Sequence, residues 1–172
     1  IEQRFSKPPV GCSSHLHRTS FLRSCTARIV RDTATMVKIT GEYQGDLHCV
    51  ATHGPSGQTL VTDAPKDNQG RGEAFSPTDL TATSLATCIA TTLAIVARRH
   101  DIELRGLRYE VTKEMSADAP RRIVRLETHL WMPVPKTAET ATLLENTARG
   151  CPVHRSLHPD IDRPIVFHWA GE

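Results

Sequence analysis

Residues 76–100, SPTDLTATSLATCIATTLAIVARRH, predict the central helix of this protein. Ser76 suits the N-cap, Pro77 the first helical position, and Asp79 the third, where a carboxylate meets free backbone N–H groups. The larger apolar side chains recur at spacings of four, four and three residues, which predicts one buried stripe: Leu85, Ile89, Leu93 and Val96. Most other positions from 82 to 92 are Ala, Thr or Ser, so we expect a slender helix that other elements approach closely.

Segments on both sides of this helix predict an α+β domain. Before it, alternating residues in 37–43, 47–52 and 58–63 indicate an antiparallel meander, and 64–75 form a loop of a length that is often functional. After it, 102–115 and 122–131 indicate a long hairpin, 136–149 a second helix closed by Gly150, 151–158 a short helix and 164–169 a terminal strand. The predicted order is β-β-β-α-β-β-α-α-β.

Length and charge limit the classes of function. The 172 residues suit one compact domain, and no stretch approaches the roughly 18 consecutive apolar residues of a membrane span, so we expect a soluble protein. The first 35 residues hold six basic and two acidic side chains, whereas the remainder holds fifteen basic and seventeen acidic ones. The basic character therefore belongs to the N-terminal segment, and we expect no nucleic-acid role.

Residues 1–35 are predicted to be an extension outside the domain, which spans 36–172. They show no sustained periodicity, and an alternating strand pattern follows Met36 at once. Two explanations are open: translation from upstream of a natural start at Met36, or a targeting peptide, whose composition is typically rich in Arg and Ser and poor in acidic residues.

Three cysteines fall in the predicted domain. Cys49 lies in an alternating strand and is interpreted as structural, whereas Cys12 and Cys25 in the extension are treated as incidental. An odd number of cysteines without a secretion signal favours thiols in a reducing compartment, so we expect a cytoplasmic protein.

Cys88 lies mid-helix, roughly 18 Å from the helix start and beyond the reach of the helix dipole. Its helical spacing gives it a face shared with hydroxyl side chains that could stabilise a thiolate: Thr81, Ser84, Thr91 and Thr92. The alternative interpretation is a small core residue, because buried free cysteines are common.

Cys151 enters the short helix through a Cys-Pro step. Free N–H groups and the positive dipole end at that position lower the pKa of a thiol, and Arg149 and Arg155 add positive charge, although a cysteine can also occupy such a cap inertly. The spacing of Cys151, His154 and His158 also permits a metal site if a fourth ligand such as His168 approached. That spacing matches no standard zinc motif, so we expect two exposed histidines and no metal or other cofactor.

The loop before the central helix carries a pair of charged side chains. Arg71 and Glu73 could point into a substrate pocket, although charged residues in such loops are usually solvated.

Two motifs together resemble a known family. Residues 76–80, SPTDL, followed by 85–88, LATC, and a second cysteine in 151–154, CPVH, are similar to the OsmC/Ohr family of osmotically inducible and organic hydroperoxide resistance proteins. The likeness covers essentially all of residues 36–169.

The resemblance implies a homodimer of intertwined α+β subunits, with antiparallel sheets wrapped around two central helices and active sites at the subunit interface. It implies that Cys88 attacks a hydroperoxide and becomes a sulfenic acid. Cys151 would then condense with it to a disulfide, which a dithiol reductant reopens. No cofactor is required, because sulfur carries out the chemistry.

The chain departs from the hydroperoxide resistance proteins at one position. Those proteins carry a glutamate ten residues before the reactive cysteine, paired with an arginine from the N-terminal hairpin region. Here Thr78 holds that position and no arginine occurs between Val37 and Gly70, which indicates the OsmC-like branch. Arg71 or the dimer partner could supply a cation.

Two hypotheses of function follow. The first is a cysteine-based peroxidase with Cys88 and Cys151 as the catalytic residues and Arg71, Glu73 and Thr78 as pocket residues. The second is a non-catalytic protein on the same scaffold that binds a small ligand or responds to redox conditions.

Overall fold

The computed structural model describes residues 36–172 and has the α+β architecture that the sequence predicts. The strands and helices follow in the order β1 (Ile39–Gly45), β2 (His48–His53), β3 (Thr59–Asp63), α1 (Pro77–Arg99), β4 (Arg108–Met115), β5 (Ile123–Pro135), α2 (Ala138–Arg149), α3 (Pro152–Ser156) and β6 (Ile165–Ala170). A short 3₁₀ turn, Lys66–Asn68, lies in the loop before α1. The predicted extension 1–35, including Cys12 and Cys25, lies outside the described residues.

The strands form two three-stranded sheets. In the first sheet β1, β2 and β3 pair antiparallel in chain order, the predicted meander. In the second sheet β4 and β5 form the predicted antiparallel hairpin, and β6 pairs with the other edge of β5 in parallel. A parallel neighbour needs a crossover connection, and α2 and α3 supply it.

The hairpin of the second sheet begins later than the sequence pattern predicts. Residues 102–107 are not part of a strand, because the backbone turns twice on its way from α1 to β4. Asp101 and Gly106 both have positive φ, at 55° and 93°, and the Leu107 N–H donates to the Leu104 carbonyl. The apolar alternation that suggested a strand here therefore belongs to a folded connection.

Helix α1 begins as predicted. The Ser76 hydroxyl accepts a hydrogen bond from the Asp79 N–H at 3.2 Å, and the Asp79 carboxylate accepts one from the Ser76 N–H at 2.8 Å. This reciprocal pair satisfies two backbone donors that a helix start leaves free. Arg98 and Arg99 lie in the last turn, where positive charge complements the helix dipole.

The core lies between α1, α2, α3 and the inner face of the second sheet. Leu85, Ile89 and Leu93 of α1 are fully buried and pack in one cluster with residues of the other elements: Leu126, Leu130 and Met132 of β5, Leu144 of α2, Cys151 and Trp169. Leu85, Ile89 and Leu93 of the predicted stripe thus face the core, whereas Val96 is only partly buried and Ala97 continues the buried side of the helix.

Helix α1 is also long and apolar enough, by length and composition, to cross a membrane. Threonines and a serine interrupt the apolar residues of this helix, so its sequence contains no unbroken apolar run of that length. The core helix of a soluble protein meets the same criterion, and the buried leucine and isoleucine stripe of α1 fits that interpretation.

Candidate functional site

The fold brings Cys88 and Cys151 together although 63 residues separate them in the chain. Cys88 lies half-buried in the middle of α1 and packs against the core cluster that contains Cys151. The two thiols are close enough that Cys88 raises the pKa of the Cys151 thiol. Both are free thiols in the structure.

Cys151 occupies the N-cap of α3, as the sequence predicts. Its Sγ accepts a hydrogen bond from the His154 N–H at 3.3 Å, and Pro152 takes the first helical position. The side chain is fully buried. Helix α2 ends at Arg149 and Gly150 leads directly into this cap, so the sulfur is fixed by the junction of two helices.

The expected lowering of the Cys151 pKa is wrong. Burial disfavours the thiolate and raises the pKa above its ordinary value, and the neighbouring Cys88 acts in the same direction. Hydrogen bonds from the His154 and Val153 N–H groups oppose this change but do not outweigh it. The raised pKa keeps Cys151 as a neutral thiol, so its sulfur carries a proton rather than a negative charge.

Three of the four hydroxyl side chains predicted to share a face with Cys88 are not free donors, and Ser84 is the fourth. The Thr92 hydroxyl donates to the Cys88 carbonyl at 2.7 Å, the Thr91 hydroxyl to the Thr87 carbonyl at 2.5 Å, and the Thr81 hydroxyl to the Pro77 carbonyl at 3.2 Å. A hydroxyl has one hydrogen to donate, so these groups are committed to the helix backbone.

The two charged residues of the loop have contacts away from the thiols. Arg71 is exposed and pairs with Asp46 at 3.0 Å. Glu73 is also exposed, and its backbone N–H donates to the buried carboxylate of Asp63 at 2.9 Å. That hydrogen bond is the main reason that the pKa of Asp63 lies below its ordinary value, and His48, 3.5 Å away, adds to it.

Thr78 contacts a cation that the sequence analysis missed. The Lys113 ammonium donates to the Thr78 hydroxyl at 2.8 Å and to the Asp79 carboxylate at 2.6 Å. Burial opposes ionisation of Asp79, but the hydrogen bonds from Lys113 and Ser76 outweigh it, so the pKa of Asp79 lies below its ordinary value. Lys113 lies on β4 directly opposite the buried Leu126, so its side chain is on the core-facing side of the sheet. A lysine at such a strand position was the signal in the sequence that could have indicated this contact.

The alternative metal site does not form. Within residues 36–172 no group of three His, Cys, Asp or Glu side chains is arranged to hold a metal ion. His158 is exposed beside Asp160, and His168 instead contacts His129 on the neighbouring strand at 2.9 Å. Burial and the charge of Arg163 lower the pKa of His154, so this ring is neutral.

A largely apolar cavity of about 390 Å³ lies between the first sheet and the start of α1. It is lined by apolar residues that include Tyr43, Leu47 and Met115 and by polar residues that include Asp63, Thr78 and Arg121. Cys49, which the sequence analysis interprets as structural, is exposed and lines the same cavity.

Residues 70–163 match the family model described as OsmC-like protein. The chain belongs to the OsmC-like family. This relation supports a role in hydroperoxide resistance or redox chemistry, and proteins of the family are generally soluble.

Solved structures extend the OsmC-like assignment. A protein of Psychrobacter arcticus 273-4, whose name refers to osmotic stress induction and a detoxification response, is 47% identical over 78% of this chain and 96% of its own, with a TM-score of 0.71. An organic hydroperoxide resistance protein OsmC of Legionella pneumophila (17% identity, 78% and 97% coverage, TM-score 0.63) shares the fold. An OsmC-like protein of Mycoplasma pneumoniae also shares the fold, with 18% identity, coverage of 80% of this chain and 97% of its own, and a TM-score of 0.65. No curated protein sequence matches the chain significantly.

Proposed function

We propose that this OsmC-like protein is a cysteine-based peroxidase that reduces organic hydroperoxides, with Cys88 as the attacking residue and Cys151 as the resolving residue. One observation carries the proposal: the two thiols are neighbours across the contact of α1 with α3, although they are far apart in sequence. A sulfenic acid is protected from further oxidation when a second thiol is close enough to trap it.

In the first step, the thiolate of Cys88 attacks the outer oxygen of the hydroperoxide. A sulfur–oxygen bond forms and the oxygen–oxygen bond breaks, so sulfur is oxidised to a sulfenic acid and the peroxide is reduced to an alkoxide. The alkoxide then takes up a proton and leaves as the alcohol. Cys88 suits this step because it is half-buried rather than enclosed, so a substrate can reach its sulfur.

In the second step, Cys151 attacks the sulfenic sulfur. A disulfide forms, the sulfenic oxygen leaves as water, and the thiol proton of Cys151 becomes part of that water. The raised pKa of Cys151 fits this order, because a neutral buried thiol does not compete for the peroxide and brings the proton that the leaving oxygen needs. A dithiol reductant then reopens the disulfide by exchange and is itself oxidised.

The surroundings of Cys88 support an organic substrate. The threonine hydroxyls nearest to Cys88 in α1 donate to backbone carbonyls, so these hydroxyls are not available as donors to a polar substrate. Among the described residues no arginine or lysine forms a hydrogen bond or ion pair with Cys88. An alkyl group is more compatible with this surface than a small polar peroxide alone.

Homodimer formation is part of the proposal, as is a cytoplasmic location suited to free thiols. The first sheet exposes large apolar side chains that one chain leaves uncovered, among them Ile39, Tyr43, Leu60 and Val61, and α1 exposes Ile95. A second copy that covered these surfaces would bury apolar area on both chains.

The test is mass spectrometry with thiol counting before and after one equivalent of cumene hydroperoxide. We expect the wild-type protein to lose two thiols and two mass units. Cys151→Ser should instead gain one oxygen, because its sulfenic acid has no thiol partner. Cys88→Ser should leave the peroxide unconsumed.

Cys49→Ser is the matched control, because Cys49 is the exposed cysteine of the described chain and lies on strand β2 rather than on α1 or at the start of α3. It should react like the wild type. If the protein lacking Cys88 consumed peroxide at the wild-type rate, the assignment of the attacking residue would be wrong.

A non-catalytic role in binding a small ligand is the second candidate, and the cavity beside Tyr43 and Met115 favours it. Its volume of about 390 Å³ and apolar walls suit a small apolar molecule with one polar group near Thr78. This role predicts a ligand retained through purification and no peroxide turnover. An empty protein in native mass spectrometry would count against it.

A further inference from the structure

One arginine ties the short helix that begins at Cys151 to the second sheet. The Arg163 Nη1 donates to the His154 carbonyl at 2.9 Å and to the Leu157 carbonyl at 3.2 Å. A helix leaves its last four carbonyls without backbone partners, and α3 has only five residues, so it depends on donors from elsewhere. A cationic donor also complements the partial negative charge at this end of a helix. Arg163 therefore holds the end of α3 opposite Cys151.

The backbone on both sides of Arg163 is itself attached to β5. The Asp162 carbonyl accepts a hydrogen bond from the Leu126 N–H at 2.8 Å, and the Pro164 carbonyl accepts one from the Thr128 N–H at 3.0 Å. Both donors belong to fully buried residues of the core strand. Arg163 thus reaches α3 from a part of the chain that the sheet holds in place.

A single residue connects this arginine to the sulfur of Cys151. The His154 N–H donates to the Cys151 Sγ at 3.3 Å, and the carbonyl of the same residue accepts from Arg163. The partner thiol, Cys88, lies in the middle of the 23-residue helix α1, which packs against the sheet independently of α3. A displacement of α3 would therefore move the Cys151 sulfur while the Cys88 sulfur kept its place.

We propose that Arg163 is a positioning residue for the resolving step, an inference that rests on the proposed function. Arg163 holds α3 against β5 and so keeps the Cys151 thiol within reach of a sulfenic acid on Cys88. The sulfur–sulfur bond forms as the sulfur–oxygen bond breaks, and the oxygen leaves as water with the thiol proton. A misplacement of about 1 Å can slow such a reaction by about a hundredfold. Arg163 donates to carbonyls of α3, so the attack on the peroxide does not depend on it.

The experiment compares Arg163→Gln with Arg155→Gln in the full chain after one equivalent of cumene hydroperoxide. Arg155 is the matched control, because it is exposed on the same helix and the substitution removes the same charge. In the wild type and the control, the disulfide should form before dimedone traps a sulfenic acid. In Arg163→Gln we expect disulfide formation to slow by about tenfold or more, so that dimedone labels Cys88. Arg163→Lys should have an intermediate rate, because an ammonium also donates to carbonyls.

The Cys151→Ser protein separates positioning from a general effect on the fold. Its sulfenic acid has no thiol partner, so adding Arg163→Gln should leave the rate of sulfenic acid formation unchanged. A slower formation in this double variant would show that Arg163 acts on Cys88 or on the whole fold, and would overturn the inference. Disulfide formation at the wild-type rate in Arg163→Gln would overturn it as well.

A second oxidant tests the inference even if the protein does not react with peroxide. Diamide takes two hydrogen atoms from a pair of neighbouring thiols, so it joins Cys88 and Cys151 without a sulfenic acid. We again expect Arg163→Gln to form the disulfide about tenfold more slowly than the wild type. A wild type that reacts with diamide but not with peroxide would contradict the proposed function alone. Equal rates with diamide in both proteins would contradict the role of Arg163.

Discussion

The two sheets have the same number of strands, but the second sheet is covered by helices whereas the first sheet leaves large apolar side chains exposed. In the second sheet the inward side chains of β5, such as Leu126 and Leu130, are fully buried under α1. In the first sheet Leu60 and Val61 on β3 and Tyr43 on β1 keep 40% or more of their surface exposed. The difference shows that an alternating sequence predicts a strand well but does not predict what covers it.

The two sheets therefore differ in how much the burial of their apolar side chains stabilises a single chain. Burying a leucine side chain stabilises a fold by about 1.5–3 kcal/mol, and the second sheet obtains this gain within one chain. The first sheet obtains little of it unless another surface covers it. Under the proposed function, that surface belongs to a second copy.

Leu130→Ala and Leu60→Ala should give the largest contrast between the sheets. Leu130 is fully buried, so its truncation leaves a cavity and should lower the free energy of unfolding by about 2–5 kcal/mol. Leu60 is 43% exposed, and its truncation should cost less than about 1 kcal/mol at low protein concentration. Chemical denaturation of both variants measures the difference.

The same pair of variants tests whether a second copy of the chain covers the first sheet. If a partner chain covers the first sheet, the cost of Leu60→Ala should grow with protein concentration, because dimer formation stabilises the folded state by mass action. The cost of Leu130→Ala should not change in this way. Equal costs for the two variants at every concentration would contradict the contrast between the sheets.

The sequence predicted the elements of this fold because their signals are local. The capping box of Ser76 and Asp79, the alternation of β5 and the Cys-Pro step each depend on residues near one another in the chain. The turn at 102–107 was mistaken for a strand because its apolar residues alternate although Asp101 and Gly106 bend the backbone.

The loop that connects the first sheet to α1 offers the next test. A Cβ atom at Gly70 would lie 1.7 Å from the Ala64 carbonyl oxygen, so Gly70→Ala must displace backbone. We expect it to lower the free energy of unfolding by about 1–3 kcal/mol. The control is Gly57→Ala in the turn between β2 and β3, where positive φ is the only obstacle and the cost should be about 1 kcal/mol. Thermal unfolding of both variants ranks them, and a smaller loss for Gly70→Ala would show that the loop adjusts freely.

The site was less predictable than the fold because its properties depend on burial and on distant contacts. The sequence placed Cys151 at a helix start but could not show that the sulfur is fully buried, and burial reverses the direction of its pKa change. Lys113 was missed because its partners, Thr78 and Asp79, lie more than thirty residues away in the chain. His129 and His168 meet only because β6 pairs in parallel with β5.

Lys113→Met should weaken the contact of the second sheet with the start of α1. At pH 7 we expect a loss of about 1 kcal/mol, since the ion pair with Asp79 is partly exposed and Met retains the aliphatic stem. The folded pKa of Asp79 is lowered from 3.8, so its stabilisation is present above that value and is lost as the pH falls through the folded pKa. Urea unfolding should therefore show the difference between the wild type and the variant shrinking as the pH falls below 3.8. A difference that stayed constant as the pH fell would mean that Lys113 acts through its hydrogen bond to Thr78 or through packing, and not through the charge of Asp79.

The cysteines of the two regions should differ in their rate of alkylation, and this difference can be measured without any variant. Cys49 on the first sheet is exposed, whereas Cys151 is fully buried and burial raises the pKa of its thiol. Alkylation by iodoacetamide at pH 7.5 should therefore modify Cys49 at least about tenfold faster than Cys151, because the thiolate is the reactive form. Peptide mapping of partly alkylated protein gives the two rates. If both cysteines react slowly in the native protein and Cys49 becomes reactive only on dilution, a second copy covers the first sheet. Equal, fast reaction of Cys49 and Cys151 would contradict the burial of the second thiol, on which its proposed resolving role depends.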